Sequence, residues 1–315
     1  MNAFARKTIE GGLSLTGSGT QLLLDMAGWR GLIRAGGALG WLMHKLGGER
    51  RRVMEGELTR LLGPEATPER VREISRRSFD IYFKRMAENA FFGRLDRATL
   101  DEMVHPEGLG HIDKALREGR GVILLLAHFG SFLLPLPFLG HRGYRVNQVA
   151  GRQVHGSGLG EVIWQWRKGE ADRQPVRFIQ VGTFMRPVYN ALRNNEIVVI
   201  AFDGREGTNW VEADFLMRRA LFSHGPFLLA RRTGAAIIPT FMVRGRDDTH
   251  RLIFEPRFEL SRTDDGAAAL REDTQRFAAI FARYVREFPC HFGMVLYKVQ
   301  KEIELGNNPL FVEAA

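Results

Sequence analysis

The chain of 315 residues contains a single cysteine, Cys290. That excludes an intrachain disulfide framework, a cysteine-based zinc site and a CxxC redox motif. A secretory leader is not expected either. MNAFARKTIEGG has two positive charges, but Gly11 to Leu24 behind them is rich in Gly, Ser and Thr rather than continuously apolar. Long hydrophobic runs are scarce. The longest stretch free of Lys, Arg, Asp and Glu is Gly121 to His141, GVILLLAHFGSFLLPLPFLGH. Gly130 and Ser131 interrupt it, Pro135 and Pro137 disrupt a single helix, and His128 would be costly in hydrocarbon. A buried strand, a turn and a short apolar helix fit it better than a membrane span. The motifs GxSxG, GxxxxGK[ST] and HExxH are absent, and no GxGxxG links a strand to a helix. The nine histidines show no ligand spacing, so no metal is implied.

Acidic residues are also in deficit. Lys plus Arg number 45 against 36 Asp plus Glu, a net charge of +9. An excess of this size favours an anionic partner: nucleic acid, an anionic membrane or a phosphorylated substrate. The basic residues are spread along the chain, without a nucleic-acid motif or interleaved aromatics, so no nucleic-acid partner is expected. Gly31 to Leu46 reads as an interfacial helix or as an ordinary amphipathic one, beside the basic cluster Arg50–Arg52.

Residues 1 to about 105 read as a helical section. Thr67 before Pro68 makes a helix start, and apolar residues from Val71 to Phe91 recur at nearly helical spacing. From about 106 to 315, strands alternate with helices. The strand-like runs are Val122–Ala127, Tyr144–Ala150, Val176–Val181, Ile197–Asp203, Ala236–Val243 and Arg251–Leu260. Ile112–Leu116, Leu159–Lys168, Thr183–Arg193, His224–Arg232 and Ala267–Phe288 read as helices. This alternation predicts an α/β fold with a mixed, largely parallel sheet flanked by helices, joined to the helical lead section in one domain.

The segment GRGVILLLAHFGS carries the chemistry. An apolar strand ends at Ala127, and His128 follows at its carboxyl end, where ligands of α/β sheets bind. A histidine there acts as a general base near neutral pH. Read alone, it equally satisfies buried backbone at a strand end. Several segments in order resemble the bacterial lipid A biosynthesis acyltransferases, the lauroyl/myristoyl family within the wider lysophospholipid acyltransferases. They are RRSFDIYFKRMAE, HPEGLGHIDKALREGRGVILLLAHFGS, EIVVIAFDG and DFLMRRALFSHGPFLLARRTGAAIIPTFMVR. The resemblance runs from about Arg50 to about Lys298.

This resemblance implies a glycerolipid-acyltransferase-like fold and a peripheral or N-terminally anchored O-acyltransferase on the cytoplasmic face of the bacterial inner membrane. Its donor is a fatty acyl thioester of acyl-carrier protein or coenzyme A. Its acceptor is a hydroxyl of a membrane glycolipid or lysophospholipid, and no cofactor is implied. His128 matches the family's catalytic histidine, and N–H groups near Gly130 and Ser131 are candidate oxyanion donors. The family's motif is His, four residues, then Asp or Glu, whereas here the fifth residue is Leu133. Asp203, at the end of IVVIAFD, is the first candidate for the missing acid, and Glu206 is the second. The other explanation is an impaired, lipid-binding protein of the same fold. A thioesterase is a third reading. The literal pattern also occurs at His44…Glu49 and His250…Glu255, in contexts that argue against a site. Arg152, Arg167 and Arg218 are candidate phosphate ligands, and Leu133, Leu134, Leu136 and Phe138 candidate lining of an acyl-chain groove.

Overall fold

The computed structural model describes residues 28–150, 169–180, 185–204, 209–304 and 309–312. Arg152, Arg167, Glu206 and the expected helix Leu159–Lys168 lie outside the described residues. The elements are α1 (28–46), α2 (Gly48–Leu62), α3 (Pro68–Phe91), α4 (Arg97–Met103), β1 (Val104–Glu107), α5 (Leu109–Leu116), β2 (Val122–Leu126), α6 (Pro135–Gly140), β3 (Val146–Ala150) and β4 (Val176–Gln180). Then follow α7 (Arg186–Arg193), β5 (Ile197–Ala201), β6 (Trp210–Phe215), β7 (Arg218–Ser223), α8 (Gly225–Thr233), β8 (Ala236–Arg244), β9 (His250–Phe254), α9 (Gly266–Glu287), α10 (Gly293–Glu304) and β10 (Phe311–Val312).

Among the described residues, the main sheet has seven strands in the order β1-β9-β8-β2-β5-β3-β4. All neighbouring pairs are parallel except β8 with β9. The central strand β2, Val-Ile-Leu-Leu-Leu, is buried throughout. That suits a strand covered on both faces, where an unbroken apolar run replaces alternation. Ile123, Leu125 and Ala127 enter one core, while Val122, Leu124 and Leu126 enter the other. Each fully buried Leu or Ile contributes roughly 1.5–3 kcal/mol of transfer free energy, so the middle of the sheet is held firmly. β6 and β7 form an antiparallel hairpin that, with β10, makes a second, three-stranded sheet. α9 lies against β6, bringing Phe281 beside Phe215 and Phe277 beside Phe202.

The helical lead section shares the core of the α/β section. Met54, Leu58 and Phe79 belong to the same buried cluster as Phe215 and Phe281. α3 starts as its sequence indicates, with Thr67 Oγ1 accepting from the Arg70 N–H at 3.3 Å and Pro68 in the first turn. α1 crosses α3 at very short range. A Cβ at Gly36 would lie 2.9 Å from the Phe83 carbonyl oxygen, and one at Gly40 would lie 2.9 Å from Asp80 Cα. Only glycine permits that approach. The opposite side of α1 exposes Leu39, Trp41, Leu42 and Leu46, with Lys45 Nζ 3.8 Å from the centroid of the Trp41 ring. Among the described residues, no helix is long and apolar enough to cross a membrane.

Candidate active site

Pairing of β2 with β5 builds the site. The register sets Leu126 beside Ala201, and the Phe202 N–H donates to the Leu126 carbonyl at 2.7 Å. His128 and Asp203 each lie two residues beyond that matched pair, so both emerge at the carboxyl edge of adjacent parallel strands. The Asp203 carboxylate accepts the His128 backbone N–H, with Oδ1 at 3.0 Å and Oδ2 at 3.1 Å. Oδ1 also lies 3.0 Å from His128 Nδ1. A carboxylate only accepts, so Nδ1 carries the imidazole proton and Nε2 carries the basic lone pair. The Asp203 side chain is 2% exposed and that of His128 is 40% exposed, so the acid is enclosed while the base faces outward. The Phe132 ring meets the imidazole edge-on at 4.7 Å between centroids.

The turn after His128 depends on Gly130, whose φ is +56°. A Cβ there would lie 2.4 Å from the Met242 carbonyl oxygen. The Gly130 N–H donates to the His291 carbonyl at 3.1 Å, so it is engaged and not directed at a substrate. Among the described residues the Ser131 and Phe132 N–H groups have no acceptor, which moves the candidate oxyanion donors one residue along. Phe129 is buried and stacks on the His291 ring at 5.1 Å.

A basic imidazole oriented by a buried carboxylate, with backbone donors close by, is equipped for proton transfer at an attacking hydroxyl. The sequence profile of the bacterial lipid A biosynthesis acyltransferases matches residues 6–300. The chain belongs to this family. A phosphatidylinositol mannoside acyltransferase of Mycobacterium tuberculosis is 27% identical to it over 248 residues, covering 76% of this chain and 73% of that one. A lipid A biosynthesis palmitoleoyltransferase of Escherichia coli is 30% identical over 168 residues, covering 52% of each chain.

In this acyltransferase, the acid beside His128 comes from β5 rather than from the turn, where Leu133 stands. Other residues singled out from the sequence take different places. Leu134, Leu136 and Phe138 are 0–2% exposed and build the core between α6 and the sheet, so their side chains do not line an open groove. Leu133 is only partly buried at the edge of that core. Arg218 pairs with Glu57 at 2.5 Å and lies over the Phe311 ring at 4.0 Å, so it ties α2 to the hairpin rather than presenting a free cation. His250 is buried against Glu88 on α3, and Glu255 accepts from the Tyr284 hydroxyl at 2.6 Å, so this second literal His-x4-Glu pair is not an acid–base couple.

Sequence reasoning missed the polar group behind the turn. Glu88 on α3 is buried, accepts the Ser131 hydroxyl at 2.5 Å, contacts His250 Nε2 at 2.6 Å and pairs with Arg244. Burial opposes its ionisation, but Arg244, His250 and the two hydrogen bonds outweigh it and bring its pKa down to about 2. Burial likewise holds His250 below the usual imidazole range and, reinforced by His250 and Arg244, depresses His291 to about 3. These residues come from four separate parts of the chain, and no local motif marks them. Among the described residues no group of three or more His, Cys, Asp or Glu could hold a metal ion.

Proposed function

We infer that this chain transfers a fatty acyl group from an acyl-carrier-protein or acyl-CoA thioester to a hydroxyl of a membrane glycolipid or lysophospholipid. The observation that carries the reading is the His128–Asp203 pair at the carboxyl edge of the sheet. His128 Nε2 takes the proton of the acceptor hydroxyl as its oxygen attacks the thioester carbonyl carbon. The Ser131 and Phe132 N–H groups face the oxyanion of the tetrahedral intermediate. The intermediate collapses by expelling the thiolate, which takes the proton back from His128 and leaves as thiol. Asp203 holds the productive tautomer and stabilises the imidazolium in between. With Asp203 in that place, the missing acid at Leu133 no longer argues for an impaired protein. The relatives' names point to acceptors of the glycolipid class.

The helical lead section, to about residue 105, is the membrane-contacting part in this reading. The exposed Leu39, Leu42 and Leu46 recur at helical spacing along α1, and Trp41, Lys45 and Arg34 lie beside them. An apolar stripe flanked by cations suits peripheral attachment to an anionic bilayer, at the cytoplasmic face of a bacterial inner membrane.

The test is a purified assay with acyl-carrier-protein and acyl-CoA donors, glycolipid and lysophospholipid acceptors, and mass spectrometry of the lipids. A product heavier by one acyl group is expected, and His128→Ala lowers its rate at least about a hundredfold. A wild-type rate in that variant overturns the mechanism. Free fatty acid released equally with and without acceptor favours a thioesterase. Liposome binding without turnover of any thioester favours a binding protein.

A further inference from the structure

The residues behind the turn form a closed circuit. Glu88 joins the Ser131 hydroxyl to Arg244 and His250. The Arg244 backbone N–H donates to His291 Nε2 at 2.9 Å, and the His291 carbonyl receives the Gly130 N–H at 3.1 Å. Gly130 and Ser131 are adjacent, so the circuit returns to its starting point. The turn is gripped at two successive residues, through a main-chain N–H and through a side-chain hydroxyl. Both grips trace back to Arg244, which is 5% exposed. Enclosing a carboxylate and a guanidinium has a desolvation cost that well-packed apolar side chains would avoid. The arrangement therefore calls for a role other than bulk stability, and the Ser131 and Phe132 N–H groups begin where the circuit ends.

We propose that Glu88 is a positioning residue for acyl transfer: through the Ser131 hydroxyl it fixes the turn that aims the Ser131 and Phe132 N–H groups at the oxyanion. The proposal rests on the acyl-transfer reading above. Glu88 touches no reacting atom. It acts on the transition state, because the developing oxyanion needs its donors in place while the bound ground state does not. A displacement of the donors by about 1 Å costs on the order of a hundredfold in rate.

Ser131→Ala removes the hydroxyl link and leaves Glu88 with Arg244 and His250. Its kcat is expected to fall about ten- to a hundredfold, with KM within twofold and a melting temperature lowered by only a few degrees, since one buried hydrogen bond is lost. Glu88→Gln, which keeps the shape but loses the charge, should lower kcat in the same sense. Hydrogen–deuterium exchange of a peptide spanning residues 127–134 should rise in both variants while the β2–β5 ladder stays protected. An undiminished kcat in Ser131→Ala overturns the proposal, as does a change confined to KM. Because Ser131→Ala spares the buried ion pair, it remains decisive if Glu88→Gln does not fold. The exchange measurement needs no turnover. Absence of acyl transfer by the wild type would refute the functional reading, and unchanged exchange at the turn would separately refute the clamp.

Discussion

Replacing Asp203 by Asn tests the site most sharply, because the two side chains have the same shape. Among the described residues, Asp203 accepts from the His128 backbone N–H and from Nδ1. An Asn carries only one acceptor oxygen. If its oxygen stays on the backbone N–H, its amide NH2 faces Nδ1 and forces that nitrogen to become an acceptor. The imidazole proton then moves to Nε2, where the base is needed. If the oxygen turns to Nδ1 instead, two donors oppose each other at the backbone. Either outcome also removes the negative charge that stabilises the imidazolium. The expected loss is about 10³–10⁴ in kcat, or roughly 4–5.5 kcal/mol in the barrier, at about 1.4 kcal/mol per tenfold. Folding stability should drop by only about 1–3 kcal/mol, the cost of weakened buried hydrogen bonds. Single-turnover acyl transfer with saturating donor measures the first quantity, and thermal unfolding the second. A rate within threefold of wild type in a folded Asp203→Asn protein would refute the assignment of Asp203 as the orienting acid.

Arg218→Ala should leave the buried Glu57 carboxylate with Arg60 alone, which pairs with its other oxygen at 2.6 Å; a loss of about 2 kcal/mol in unfolding free energy is expected with kcat unchanged, and an unaltered melting temperature would contradict it. Acid should destabilise the fold in two overlapping steps. His291 has its folded pKa lowered to about 3 from 6.5, so the unfolded chain binds the extra proton first and stability falls as pH drops below about 6.5. Glu88, lowered to about 2 from 4.5, adds a further loss below about pH 4.5. A melting temperature that stayed level from pH 6.5 to pH 4.5 would count against the His291 step, and one with no added fall from pH 4.5 to pH 3 against the Glu88 step. Leu42 and Leu46, 43% and 70% exposed, should together supply about 2 kcal/mol to bilayer attachment, so Leu42→Glu with Leu46→Glu weakens binding to anionic vesicles roughly thirtyfold. Vesicle sedimentation that is indifferent to the pair would remove α1 from the membrane contact.

Where local chemistry and tertiary placement agree, the sequence is easy to read. The run Val122–Ala127 reads as a buried strand better than as a membrane span, and Asp203 ends a second apolar run. Parallel neighbours then bring the two strand ends together. The hairpin of β6 and β7 escaped notice because its two-residue connection, Leu216-Met217, contains no Gly or Asn, although Leu216 adopts φ +57°. β1 straddles the expected boundary at about residue 105, where Pro106 weakens a strand reading and the strand lies at the sheet's edge. α10 also went unread. Leu134, Leu136 and Phe138 read equally as groove lining or as core, because apolar residues beside the His128 turn suit either, and only their burial distinguishes the two. Glu88 was invisible for a different reason. Its meaning resides in Ser131, Arg244 and His250, and only the finished fold brings those residues to it.

The glycine contact between α1 and α3 has a mechanical consequence. Gly36 and Gly40 bring α1 to within one backbone's width of Phe79–Lys84, and Glu88 lies only one helical turn beyond Lys84. At about 1.5 Å of rise per residue, the leucine-bearing rod and the carboxylate behind the turn are about 6 Å apart along the axis of α3. The same strut bears both. In the proposed acyl-transfer reading, a bilayer gripped by those leucines would hold His128 at a set height, fixed by the packed α1–α3 pair rather than by a swinging arm.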